Sequence, residues 1–283
     1  MTATLIKLSL LGANIQKTRF PRLLETLCSR ERLRLEFDLS DSALKDDFDF
    51  DRRVDECAAA GYRGIVATHP FKTLAIARAG EIRGIPPTLG AANSLIFDPT
   101  GWIATNTDYT GLLKAWAMEM GETKPGVIAM AGAGGVARSI AFALISQGCE
   151  RIDIFDVVPE RAQAVARACD PDGAVVRAID AGRFREAVVQ ADGLVNATPL
   201  GMAQYPGMAF DPDAIGPQQW AFDAVYTPIE TAFMQAAERN GLRQLTGFQL
   251  FLHMGIDSFE FFSGKTIERD AVLPSLRKLA PNG

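Results

Sequence analysis

Histidine is scarce in this 283-residue sequence: only His69 and His253 occur. Without a Cys/His cluster around them, a zinc site of ordinary ligand composition is excluded, and no metal is expected. Each of the two reads as a packed core residue. Four cysteines, Cys28, Cys57, Cys149 and Cys169, stand far apart and form no CxxC pair. They offer neither a disulfide framework nor a dithiol redox site and read as reduced thiols in or beside helices. No stretch approaches about 18 uninterrupted apolar residues, so no membrane span is expected. The opening MTATLIKLSLLGANIQ lacks both a basic region and a small-residue cleavage site, which excludes a secretory leader of the usual form and points to the cytoplasm. One-signed charge is missing as well: the net charge is −5 with acids and bases interspersed, which leaves no electrostatic footprint for nucleic acid. Repeats and low-complexity segments are absent. What remains is a globular chain, 48% apolar, long enough for about two domains and suited to life as a monomer or homodimer.

The most informative stretch is 127–144, VIAMAGAGGVARSIAFAL. A run of β-formers enters Gly132-Ala133-Gly134-Gly135-Val136-Ala137, and the apolar residues beyond recur at helical spacing. This is a strand, a tight turn and a helix. Gly132 permits the turn, Gly134 lets a pyrophosphate approach the backbone, and the small Ala137 lets helix and strand pack closely. The helix start presents N–H groups and a positive dipole end to the phosphates. The next β-like run, 151–155, ends in Asp156, about 20 residues beyond Gly134, the position of an acid that grips an adenosine ribose. Asp156 also suits a helix N-cap, and the two roles are compatible.

Along the chain, 5–11 reads as a strand broken at Gly12-Ala13-Asn14, with a helix from Pro21 to about 32. Strands at 34–39 and 64–67 alternate with helices at 51–60 and 72–78, a βαβα pattern that implies a mainly parallel sheet. A hairpin joins 95–97 to 102–104 around Pro99-Thr100-Gly101, and an amphipathic helix over 109–120 leads to the glycine turn. Further βα units follow: strands at 151–155, 174–178, 193–196 and 220–225, and helices at 161–168, 184–190 and 231–240. The last helix, 248–262, is apolar nearly all round and must be buried, which a return to the first domain achieves. The expectation is an α/β protein of two domains: 1–108 plus 247–283 for substrate, and 109–246 as a doubly wound dinucleotide-binding domain.

Two charged residues bear on chemistry. Lys72 sits at a helix start, where a cation opposes the dipole and is not chosen for stability. Asp108 precedes the 109–120 helix, where N-capping is its default role. With these, six ordered segments resemble the shikimate and quinate dehydrogenases: Thr68-x-Pro70-x-Lys72; Gly90-Ala91-Ala92-Asn93-Ser94; Asn106-Thr107-Asp108; the glycine turn; Asn196-Ala197-Thr198-Pro199-Leu200-Gly201-Met202; and Asp223-x-x-Tyr226-x-Pro228. The resemblance implies Lys72 and Asp108 as the catalytic pair. It implies Thr18, Thr68, Asn93 and Tyr226 around a hydroxylated cyclohexene or cyclohexane carboxylate, with Gln249 a further candidate contact of this chain's own. A dinucleotide is implied on Gly132, Gly134, Gly135, Val136, Ala137, Asp156, Thr198 and Met202. Oxidising a secondary alcohol requires loss of its hydroxyl proton as hydride leaves the carbon. An adjacent carboxylate favours a charged Lys72 while desolvation favours a neutral one, so Lys72 as proton acceptor and Lys72 as fixed charge both stand.

Departures cluster where the family holds its substrate. A pair of small hydroxyl residues is usual in the first loop; here the positions are Thr18 and Phe20, with the cations Lys17 and Arg19 beside them. The usual glutamine of the last helix falls at Met254, Gln249 stands where glycine is usual, and the usual asparagine of the third strand is Val66. These changes motivate a second reading, a catalytically weak, nucleotide-linked sensor of a ring carboxylate. A folate-type dehydrogenase shares the two-domain plan but explains Asn106-Thr107-Asp108 and Tyr226 poorly. NADP-using relatives commonly carry Asn-Arg-Thr where this chain has Asp156-Val157-Val158, which favours NAD and leaves NADP as the second cofactor.

Overall fold

A computed structural model describes residues 4–45 and 47–281, so the outermost ends of the expected domains, residues 1 and 283, lie outside the described residues. The chain opens with β1 (Leu5–Gly12), α1 (Phe20–Arg30), β2 (Arg34–Asp41), α2 (Phe50–Ala59), β3 (Gly64–Ala67) and α3 (Lys72–Ala77). It continues through β4 (Glu81–Ile82), β5 (Ser94–Ile96), β6 (Ile103–Thr105) and α4 (Thr107–Ala115), which runs on into a π-helical turn at Trp116–Met120. Next come β7 (Val127–Ala131), α5 (Ala137–Ser146), β8 (Arg151–Phe155), α6 (Pro159–Cys169), β9 (Val176–Ala178) and α7 (Ala181–Gln190). The last elements are β10 (Gly193–Asn196), β11 (Trp220–Asp223), α8 (Ala232–Arg239), β12 (Arg243–Thr246), α9 (Gly247–Ser263) and α10 (Arg269–Leu276). The chain folds into two compact units, one made of Met1–Thr110 with Met254–Leu279, the other built on Gly111–His253. The division falls between Thr110 and Gly111 in α4 and between His253 and Met254 in α9.

In the first unit the strand order is β2-β1-β3-β5-β6-β4. β1 lies parallel to β2 and β3, and β4 parallel to β6, whereas β5 is antiparallel to both its neighbours. The sheet is therefore mainly parallel, as expected, with the β5–β6 hairpin inserting one antiparallel strand beside β3. Helix α1 has Pro21 in its first turn and buries Leu23, Leu24, Leu27 and Cys28 along one face. Helix α2 is capped by Asp49, which accepts from the Arg52 N–H, and sends Phe50, Val54 and Cys57 into the core with Leu11, Ile65 and Leu95. Each such large side chain contributes about 1.5–3 kcal/mol when fully buried.

The second unit holds an all-parallel sheet in the order β12-β11-β10-β7-β8-β9, the arrangement of two mononucleotide-binding halves. Ile128, Ala129 and Met130 of β7 are fully buried, as a parallel strand covered on both faces requires. The strand order reverses between β7 and β10, and a ligand crevice belongs outside their C-terminal ends. Among the described residues, no helix is long and apolar enough to cross a membrane.

Candidate active site

In the first unit the C-terminal ends of β1 and β3 lie side by side, and the segments leaving them are tied together: Ala13 N–H donates to the His69 carbonyl and Thr68 N–H to that of Leu11. Gly12 makes the approach feasible, since a Cβ there would lie 2.2 Å from the Thr68 methyl. The Thr68 carbonyl accepts from Phe71 N–H at 2.7 Å, and this turn delivers Lys72 as the first residue of α3. Its Nζ lies 2.5 Å from Asp108 Oδ2, with the two side chains 14% and 9% exposed. Two charges this far from water hold only because they face each other.

The backbone on either side of the pair is fixed through one segment. Ala92 N–H donates to the Lys72 carbonyl, while the Ala91 carbonyl accepts from Asn106 Nδ2 at 3.0 Å. Asn106 Oδ1 in turn accepts from the N–H groups of Asp108 and Tyr109 at 3.1 and 3.2 Å. Asn106 is thus the cap of α4, and the capping role expected of Asp108 is corrected: its carboxylate is left to Lys72. Asn93, 4% exposed, grips Thr107 from both ends of its amide, donating to Oγ1 at 2.9 Å and accepting from N–H at 2.8 Å. Ser258 meets the same hydroxyl at 3.0 Å, and Thr110 donates to Asp257 one turn further on. Asn106→Ala is expected to lower stability by about 1 kcal/mol and to depress kcat as Asp108 loses its bearing. An unchanged denaturation midpoint would contradict the cap.

Elsewhere in this unit the loop before α1 differs from expectation. Thr18 Oγ1 accepts from Phe20 N–H at 3.3 Å, leaving the hydroxyl proton to donate elsewhere. Phe20 is a core residue, 4% exposed and edge-on to Phe37, so it does not act as a solvent-facing replacement for a hydroxyl. Arg19 donates to the Leu279 carbonyl and Lys17 is exposed. His69 is exposed, not packed, whereas His253 is fully buried. Met254 is half-buried and Val66 lies in the core.

In the second unit Gly132 stands at φ 93°, and a Cβ there would come within 2.7–2.8 Å of the Thr198 methyl and the Ala197 carbonyl group. The fold itself therefore demands this glycine. Gly134 differs: a Cβ would meet nothing within 4 Å, so packing does not explain it. Open space over the turn, with exposed Gly134 and Gly135 and half-buried Val136 leading to buried Ala137, fits a pyrophosphate at the start of α5. Asp156 closes the turn from the next strand: Oδ2 accepts from Ala133 N–H at 2.7 Å and Oδ1 from Val158 N–H at 2.9 Å. Val158, not Asp156, occupies the N-cap position of α6. Gly132→Ala should cost about 1–3 kcal/mol. Gly134→Ala should leave the melting temperature alone yet weaken dinucleotide binding roughly tenfold in a fluorescence titration; parental affinity in a folded Gly134→Ala protein would remove the phosphate role.

The remaining candidates surround the ends of β10 and β11. Asn196 Oδ1 accepts from the Thr198 N–H and hydroxyl, and Nδ2 donates to Leu200 and to Asp223 Oδ1. Burial pushes the Asp223 carboxyl up to about 6, against hydrogen bonds from Thr231, Val225 and Asn196 that favour its charged form. The half-buried Met202 follows in a turn closed on the Pro199 carbonyl. Tyr226 stacks on Phe251 at 5.2 Å between ring centroids. Gln249 Oε1 accepts from Thr246 N–H at 2.8 Å, and Thr246 Oγ1 accepts from Gln249 N–H at 3.2 Å. This capping box starts α9 and commits the oxygen assigned to substrate.

No protein-family model matches the chain. It is 35% identical over 214 residues to the quinate/shikimate dehydrogenase (NAD(+)) of Corynebacterium efficiens, covering 75% of each chain. It is 29% identical to the shikimate dehydrogenase (NADP(+)) of Streptomyces avermitilis, over 99% of this chain and 98% of that one. Among solved structures, quinate dehydrogenase from Corynebacterium glutamicum in complex with NAD superposes with a TM-score of 0.88 and 29% identity, covering 97% of this chain and 98% of the other.

Proposed function

Because the chain belongs to the family of shikimate and quinate dehydrogenases, we propose that it transfers hydride reversibly between a nicotinamide dinucleotide and the ring hydroxyl of shikimate, quinate or a close analogue. It is an NAD(P)-dependent oxidoreductase of the alcohol dehydrogenase class. The observation that carries the reading is the Lys72–Asp108 pair, a largely buried ammonium held 2.5 Å from its carboxylate at the edge of the first sheet. When bound, the nicotinamide supplies the hydride acceptor. Lys72 Nζ faces the substrate hydroxyl, takes its proton or holds the developing alkoxide, and is kept in place by Asp108. Thr68 and Asn93 meet the ring hydroxyls, and the Thr18 proton is directed to the ring carboxylate. Tyr226 lies against the substrate; Gln249 keeps only its amide nitrogen for this purpose.

On the nucleotide side, Gly132, Gly134, Gly135, Val136 and Ala137 hold the pyrophosphate, Asp156 the adenosine ribose, and Thr198 and Met202 the nicotinamide half. NAD is the preferred cofactor. The setting is the cytoplasm, in keeping with four free thiols whose pKa values burial raises. Initial rates with shikimate, quinate and aminoshikimate, each with NAD and NADP and followed at the reduced-nicotinamide band, test the reading. Turnover is expected with at least one ring acid, and none with any pair would defeat it.

A further inference from the structure

Asp41 lies outside every residue assigned above, yet it is among the most heavily engaged carboxylates of the first unit. It ends β2 opposite Gly12 of β1 and is 4% exposed. Oδ1 accepts from Asn14 N–H at 2.9 Å and Ala43 N–H at 3.0 Å. Oδ2 accepts from Ile15 N–H at 3.0 Å and Gln16 Nε2 at 3.2 Å. Desolvation works against its charge, but the hydrogen bonds from Ala43, Asn14, Gln16 and Ile15 outweigh it and hold the carboxyl below its ordinary range. One bond, to Ala43, caps the short turn Ser42–Leu44. The other three reach across to the loop that leaves β1, where Asn14 adopts φ 59°, a left-handed conformation that asparagine accepts more readily than most side chains.

From Asp41 a continuous series of hydrogen bonds runs to the substrate side of that loop. Asp41 holds Ile15 N–H; the Ile15 carbonyl accepts from Thr18 N–H at 3.0 Å; Thr18 Oγ1 accepts from Phe20 N–H at the start of α1. We infer that Asp41 is a positioning residue for ring-acid binding, a carboxylate staple that sets the Asn14–Thr18 loop and with it the direction of the Thr18 hydroxyl. The inference rests on the dehydrogenase reading and deepens it.

Asparagine at this position keeps one acceptor oxygen and turns the other into a donor that faces donors. Asp41→Asn in the full chain is expected to raise the KM for the best ring acid about tenfold, while kcat and the KM for NAD stay within about twofold. Gln16→Leu removes only the side-chain donor and should raise the same KM about twofold, which keeps the test alive should Asp41→Asn fail to fold. A purely structural role would move kcat, both KM values and the melting temperature together. An unchanged ring-acid KM in a folded, active variant, or equal changes in the KM for NAD, overturns the inference and leaves the dehydrogenase reading intact. No turnover by the parent protein defeats that reading and this inference with it.

Discussion

Lys72→Ala is expected to lower kcat by about a thousandfold, with the dissociation constant for NAD unchanged. On the proposed mechanism the ammonium faces the alcohol being oxidised, where it takes the proton or steadies the charge left on oxygen, and no other cation among the described residues pairs with Asp108. The glycine turn proposed to hold pyrophosphate belongs to the other unit, so cofactor affinity has no reason to follow. Stability does: an unpaired Asp108, 9% exposed, costs up to about 3 kcal/mol. The rate must therefore be measured on protein whose melting curve is intact, and Asp108→Asn supplies the complementary variant with the helix cap on Asn106 preserved. Small primary amines can restore turnover to Lys72→Ala in either role: rescue that rises with the free-amine fraction as pH increases marks lysine as the proton acceptor, and rescue that follows the ammonium fraction marks a fixed charge. Parental kcat in Lys72→Ala would remove the pair from the mechanism.

The second large effect concerns the dinucleotide. NAD should exceed NADP in kcat/KM by at least about tenfold, and by about thirtyfold if the preference is worth about 2 kcal/mol. Asp156 offers its remaining lone pairs to the ribose hydroxyls, but would face a 2′-phosphate as a like charge, and the next residue is Val157, 84% exposed, where a cation would be needed. Arg161 follows only after Pro159, within α6. The double variant Asp156→Asn, Val157→Arg should invert the preference: an exposed site takes the arginine without repacking, and asparagine removes the repulsion. It should also reduce activity with NAD, because asparagine turns one of the two oxygens that accept from Ala133 and Val158 into a donor facing an N–H. Comparable kcat/KM for the two cofactors in the parent protein would refute the assignment.

Much of this was legible in the residues. The glycine turn, the strand before it and Asp156 form a local unit whose chemistry depends on few distant neighbours, and neither packing nor a positive φ accounts for Gly134. Lys72 was conspicuous because a cation at a helix start needs a reason. Capping was less readable: Asn106 and Asp108 both suit a cap, and the hydrogen bonds that Asn106 Oδ1 accepts from the Asp108 and Tyr109 N–H groups decide which residue takes it. Thr246-x-x-Gln249 is a capping-box pattern that local reading could have recognised. Phe20 went astray because one sequence position gives no direction for a side chain, and the core claimed it. The strand Arg243–Thr246 has no apolar alternation, and α10 contains Pro274, so neither announces itself. Asp41 was invisible, since its partners come from a loop far away in sequence.

The first unit is assembled from two stretches separated by the whole of the second. Its late segment is no appendage: a Cβ on Gly255 would lie 2.3 Å from Leu23, Arg63 donates to the Phe262 carbonyl, and Lys265 pairs with Glu31. During synthesis, therefore, the first 110 residues leave the ribosome with the place for Met254–Leu279 unfilled, and at ordinary elongation rates they wait on the order of ten seconds for it. The second unit's sheet is complete once Thr246 has emerged. The nucleotide-binding half should thus be the earlier of the two to mature on the ribosome, and the half that carries Lys72 the later, although it is the first to be translated.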